Sequence, residues 1–298
     1  SDCFTTVSRI TDRECAQFLG KPADIITPNG FEDTFVPGES DYEDRRHDAR
    51  KKLLAVAGAV TGTEIPPDSI LLVNSGRYEF KNKGIDLFID AMGKLNEQGE
   101  LTRTVVAFIM VPAYQSGPRK EILERLNTPW PGEPLTGEYL THGLHEPESD
   151  PVLSRIRENN ILNRPGDRVK VIFVPAYLNG NDGIFDIPYY GLLIGFDGSI
   201  FPSYYEPWGY TPLESLAFHI PTITTSLAGF GQWISDLFPD QKKCTRVITR
   251  TDDNDHEVVK EIVDSILACA VKNKKELAEM REQAAEISRT ALWKNLVN

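Results

Sequence analysis

No stretch of this 298-residue sequence approaches the roughly 18 to 20 consecutive apolar residues of a membrane-spanning helix. Its first residues also lack the charged start and apolar core of a secretory leader, so neither anchoring nor export is expected. Cysteine is scarce. Cys3, Cys15, Cys244 and Cys269 form no C-x-x-C pair and no spacing with His or Asp that suggests zinc, which excludes a disulfide frame and predicts reduced thiols in a cytoplasmic protein. Basic residues are outnumbered: 32 Lys and Arg face 44 Asp and Glu, for a net charge of -12. That balance excludes a general nucleic-acid or membrane-surface binder, whose phosphates call for a basic face. Neither a Walker loop nor a G-x-G-x-x-G turn is present, which argues against ATPase and NAD chemistry.

What is present is alternation. Short apolar, β-branched runs at 70–75, 104–111, 169–174, 221–225 and 245–249 read as strands. Their near-continuous hydrophobicity suits a parallel sheet covered on both faces. Between the first two, Ile85, Phe88, Ile89, Met92 and Leu95 recur at helical spacing, as do Val259, Ile262, Val263, Ile266 and Ala270 after the last. Leu277, Met280, Ala284 and Ile287 extend the pattern into a final helix. The prediction is a doubly wound α/β sheet whose ligands bind beyond the carboxyl ends of its strands. The first 67 residues differ: 4–7 reads as a strand, 12–18 as a helix and 42–60 as a longer helix. Residues 113–168, rich in Pro, Gly and acids around Trp130 and His142, read as an insertion with one or two short helices.

Two loops carry chemistry. The first, G-R-Y-E-F-K-N-K-G at 76–84, leaves the first long strand and enters a helix near Gly84. Arg77 and Lys83 there are either a solvated basic run or an anion site, an Arg fork plus a mobile Lys charge being suited to a diphosphate. The second, F-P-S-Y-Y-E-P-W-G-Y-T-P-L-E at 201–214, follows a short strand at 198–201. Thr211 reads as the helix cap and Pro212 as the first helical position. Amides near Gly209, Tyr210 and Thr211 would then face an anion with the help of the helix dipole. Glu206 is either a sugar-orienting acid or a turn acid, and Glu214 either a ribose acceptor or a dipole-complementing cap. Tyr204, Tyr205, Trp208 and Tyr210 either stack on a ligand or pack. His142 stands apart from His47, His145, His219 and His256, which read as surface or packing residues.

In order along the chain come F-T-T-V-S-R-I-T from Phe4, I-T-P-N-G from Ile26, G-R-Y-E-F-K-N-K-G-I-D from Gly76 and T-V-V-A-F-I-M-V-P-A from Thr104. They are followed by T-H-G-L from Thr141, D-R-V-K-V-I-F-V-P from Asp167, the 201–214 loop, and S-L-A-G-F-G from Ser226. Together they resemble the animal and fungal type of glycogen synthase, family 3 of the retaining glycosyltransferases. The resemblance implies the C-terminal, Rossmann-like lobe of a GT-B enzyme, a parallel sheet flanked by helices. Residues 1–35 would be the tail of the N-terminal lobe and the crossover, and residues 36–298 the nucleotide-sugar-binding domain. It implies transfer of glucose, with retention, from a nucleotide diphosphate glucose (UDP-glucose, or ADP-glucose) to the non-reducing-end 4-hydroxyl of glycogen or another α-1,4-glucan.

Carried onto these positions, the resemblance makes Arg77 and Lys83 the diphosphate cations, Glu206 the essential active-site acid and Glu214 the ribose-binding glutamate. Trp208, Gly209, Tyr210 and Thr211 belong to the turn that meets the substrate. No cofactor and no metal is implied, the cations taking a metal's place. His142 falls within a matching motif and is expected near the interlobe cleft. With most of the N-terminal lobe missing, the 298-residue chain is expected to bind nucleotide weakly and transfer little or no glucose. The arginine-rich helix that senses glucose 6-phosphate has no clear counterpart at 272–289, and a homo-oligomer is left open. Other readings are a different GT-B retaining glycosyltransferase, or a catalytically silent nucleotide- or glucan-binding module.

Overall fold

The computed structural model describes residues 2–99, 101–127, 139–239 and 244–296. The apolar runs become six strands: β1 (Ile70–Ser75), β2 (Val105–Met110), β3 (Val169–Val174), β4 (Gly198–Ile200), β5 (Thr222–Thr225) and β6 (Thr245–Ile248). They form one sheet in the order β6-β5-β4-β1-β2-β3, with every neighbouring pair parallel. The chain builds outward from β1 through β2 to β3, then returns to the opposite side of β1 and builds outward again from β4. The order therefore reverses between β1 and β4, and a parallel sheet opens a crevice beyond the carboxyl ends of its strands at such a switch.

All six residues of β1, β2 and β3 are buried, which is why these runs lack the polar alternation of a half-exposed strand. Alternation instead decides which core a residue joins. Leu71, Val73, Val106 and Phe108 face one core, shared with helix α2 (Glu39–Thr61), α4 (Tyr210–Ala217) and α7 (Lys274–Thr290). Ile70, Leu72, Val105 and Ala107 face the other, shared with α3 (Ile85–Gln98) and α6 (Asp255–Ala270). The polar Asp197 between these layers accepts Arg46 at 2.6 Å, Arg50 at 2.7 Å and the Leu71 amide at 2.9 Å, tying α2 to the sheet.

The early residues also fold. Thr5–Thr6 pairs in parallel with Ile25–Ile26, and α1 (Arg9–Leu19) opens on a reciprocal cap between Ser8 and Thr11. Helix α1 packs on α5 (Gly229–Leu237). A Cβ at Gly229 would lie 2.3 Å from the Pro207 carbonyl and 2.6 Å from Ser8, so only glycine permits this approach. In the insertion, Gln115–Pro118 pairs antiparallel with His142–Leu144, beside helices Lys120–Leu126 and Pro151–Glu158. Trp130 lies outside the described residues. Among the described residues, no helix is long and apolar enough to cross a membrane.

Candidate functional site

The loops singled out in the sequence are the ones that leave β1 and β4, the two strands of the switch. They are locked together. Gly84 caps α3 with φ +64, and a Cβ there would meet the Pro202 carbonyl oxygen at 2.1 Å. The Tyr204 amide donates to the Asn82 carbonyl at 2.8 Å. Buried Arg250 donates to the Pro202 carbonyl, and the Thr225 hydroxyl donates to the Ser203 carbonyl at 2.8 Å. Glu206 is held by its backbone on both sides: its amide donates to Leu227 at 3.1 Å and its carbonyl accepts Gly229 at 3.0 Å.

Across this junction Lys83 and Glu206 form an ion pair, their side chains 13% and 17% exposed. A flexible cation and an acid are thereby fixed in one place, partly shielded from water, where Coulomb interactions are stronger than at an open surface. Arg77 is placed differently. Its side chain is 76% exposed and pairs with Glu79 at 3.0 Å, so the two cations expected to share an anion each hold a different carboxylate.

Helix α4 begins two residues earlier than expected. The cap is Gly209, at φ +106, rather than Thr211, and Pro212 falls in the first turn, where its missing N–H is no loss. The left-handed backbone makes glycine the suitable residue at that corner. Of the two readings open for Trp208, packing is the one observed: the residue is 3% exposed, its ring edge-on to Phe230 and tilted against Trp233 in the core. Tyr210 is 46% exposed on the first turn. Thr211 lines a cavity of about 240 Å³ with Ser75, Gly76, Tyr177 and Tyr189, joining the end of β1 to the start of α4.

Glu214, one turn into α4, accepts the Tyr190 hydroxyl at 2.8 Å. Burial pushes its carboxyl above the ordinary range, and the tyrosine bond only partly opposes that. The neighbouring Tyr189 shares a hydrogen bond with Ser75 at 2.7 Å, and burial followed by the Glu214 charge raises its phenol. Glu206 and Glu214 thus differ in surroundings, one facing a cation and the other a pair of tyrosines. His142 is buried, its ring nitrogens bonded at 2.9 Å to the Thr141 hydroxyl and the Asp182 carbonyl.

Sequence reading missed Arg250, Tyr189 and Tyr190. A cation just past the carboxyl end of β6 was the available signal for Arg250. The tyrosines sit in a short helix, Tyr189–Leu193, with no periodic pattern to announce it.

The glycogen synthase family profile matches residues 1–124 and 135–298. The chain belongs to the glycogen synthase family. The glycogen [starch] synthase of Neurospora crassa is 27% identical over 99% of this chain and 50% of its own length. Isoform 2 from Saccharomyces cerevisiae is 30% identical over 99% of this chain and 51% of its own. The chain thus spans about half the length of the curated glycogen synthases it matches. Among solved structures, sucrose-phosphate synthase from Thermosynechococcus elongatus superposes with a TM-score of 0.56 at 17% identity, covering 99% of this chain and 56% of that one. Anabaena HepE, solved in complex with UDP, gives 0.54 at 15% identity, covering 98% and 60%. At these identities the likeness concerns the fold, which is the GT-B glycosyltransferase architecture: a parallel sheet flanked by helices.

Proposed function

We propose that this chain is the donor-binding half of a glycogen synthase. The reaction is retaining transfer of glucose from a nucleoside diphosphate glucose to the 4-hydroxyl at the non-reducing end of an α-1,4-glucan. The Lys83–Glu206 pair at the β1/β4 switch carries this reading, supported by family membership. On donor binding, Lys83 turns from Glu206 to the diphosphate, and exposed Arg77 closes on the same phosphates from Glu79. The free amides at the start of α4 meet the leaving group, and Glu206, released from its cation, orients the sugar hydroxyls. Glu214 receives the ribose hydroxyls beside Tyr190. The bond from the anomeric carbon to the phosphate oxygen breaks as the acceptor oxygen bonds the same face, and the acceptor proton passes to the departing phosphate.

A uridine donor is favoured because HepE of like fold has been solved with UDP, and also with UDP and glucose. The four unbridged cysteines support a cytoplasmic setting. The test is incorporation of labelled glucose into glycogen from UDP-glucose and ADP-glucose, by a full-length protein containing this chain and by its Glu206→Gln variant. Turnover that the variant retains would refute the reading. The 298-residue chain alone is expected to bind UDP and to transfer little or no glucose.

A further inference from the structure

The opposite edge of the sheet holds a second cavity, of about 320 Å³, a volume within the usual range for small-molecule sites. Its floor is the amino-terminal part of the strands, including Ile70 and Leu72 of β1, and its roof is the end of α6 and the start of α7, including Ile266, Leu277 and Met280. It is therefore separate from the donor site, which lies at the carboxyl ends of the same strands.

The charges on its wall are unevenly compensated. Asp197 is already held by Arg46 and Arg50, and Arg246 pairs with Glu261 at 2.6 Å. Arg103 and Lys272 form no ion pair among the described residues. Among the described residues the Nε of Arg103 is buried without a hydrogen-bond partner, and a terminal nitrogen donates to the Cys269 carbonyl at 3.5 Å. Arg103 and Lys272 line the same wall as Cys269, whose thiol is raised by burial and pulled back down by both cations. A buried guanidinium nitrogen lacking a partner is costly, and a carboxylate is the group whose geometry fits it.

We propose that this cavity binds an anionic amphiphile of the medium-chain carboxylate class, its head on Arg103 and Lys272 and its aliphatic body against Ile70, Leu72, Ile266 and Met280. Aliphatic walls select the tail and the two uncompensated cations select the head.

The probes are sodium hexanoate, octanoate and decanoate, with decan-1-ol as the neutral control, in calorimetric titration of the protein. Burial of each methylene is worth about 0.8 kcal/mol, so affinity should climb roughly fourfold per added CH₂. Decanol should bind at least about tenfold more weakly than decanoate, the loss of one charge-assisted contact. Arg103→Met and Lys272→Met should each reduce decanoate towards the alcohol's affinity. Leu277→Trp should fill the cavity and abolish binding. Because that variant could fail to fold, occupancy is also read in a Cys3→Ser/Cys15→Ser background, where decanoate should slow iodoacetamide labelling of Cys269 and hexanoate should do so much less. Absence of saturable carboxylate binding would overturn the proposal. So would decanol binding as tightly as decanoate, or decanoate binding that leaves Cys269 labelling unchanged.

Discussion

Lys83 and Glu206 stand 123 positions apart in the sequence and meet as an ion pair. They meet because one follows β1, the other follows β4, and these strands are neighbours only where the sheet order reverses. A largely buried ion pair is a poor source of stability, since desolvation consumes much of the Coulomb gain. It is well suited to exchange: an entering diphosphate can replace the carboxylate on the lysine.

Removing one partner should show this. Lys83→Ala is expected to strand the Glu206 carboxylate, costing about 1–3 kcal/mol of stability in a urea titration. Lys83→Ala/Glu206→Ala should recover part of that loss, since no charge is then left alone. In full-length protein, Lys83→Ala should reduce glucose transfer by about 10²–10³-fold, the range for removing one electrostatic contact to a developing charge. Equal stability of both variants would dismiss the coupling.

The two ends of α3 provide an internal control for how the loops are locked. Gly84 and Gly99 flank the helix with nearly equal φ, +64 and +65, but a Cβ at Gly99 meets nothing within 4 Å. Gly99→Ala should therefore cost only the left-handed backbone penalty, about 1–2 kcal/mol. Gly84→Ala should cost about 1–3 kcal/mol more, because Pro202 must move, and should weaken UDP binding as the second loop shifts. Thermal melts of the two variants side by side test this, and equal losses would contradict it.

Asp197 links stability to acid. Burial alone would raise its carboxyl, but Arg50, Arg46 and the Leu71 amide outweigh burial and hold it below the ordinary range. A depressed carboxyl contributes stability above its unfolded value, near pH 4, and that contribution fades as pH falls through the lower folded value. Asp197→Asn should thus destabilise at pH 7 by about 3–5 kcal/mol, leaving two arginines without their acid. The gap between variant and parent should narrow below about pH 4. Denaturant midpoints from pH 7 to pH 3 measure it.

Glu214 has the opposite sign. Its raised carboxyl favours folding when protonated, and that contribution is lost as pH rises through the folded value. Glu214→Gln should therefore melt higher than the parent at pH 7, with the difference shrinking towards pH 4. The same variant should bind UDP more weakly. A lower melting temperature at pH 7 would contradict the burial argument.

The sequence by itself determined the strands, the main helices and the two loops that matter. Runs such as 70–75 and 169–174 are apolar throughout because both sheet faces are covered, and that requirement is written locally. Helical spacing in α3, α6 and α7 is equally local, as is the glycine corner before α4. Tertiary structure alone decided the partners. Lys83 rather than Arg77 took Glu206, Arg77 remained with Glu79, Trp208 turned into the core against Phe230, and Tyr190 came to Glu214. Each outcome except the Arg77 pair depends on contacts between distant parts of the chain, set by strand order and by which face of a layer is already filled. Periodicity records that a side chain is buried or placed in a loop. It does not record which distant group stands opposite.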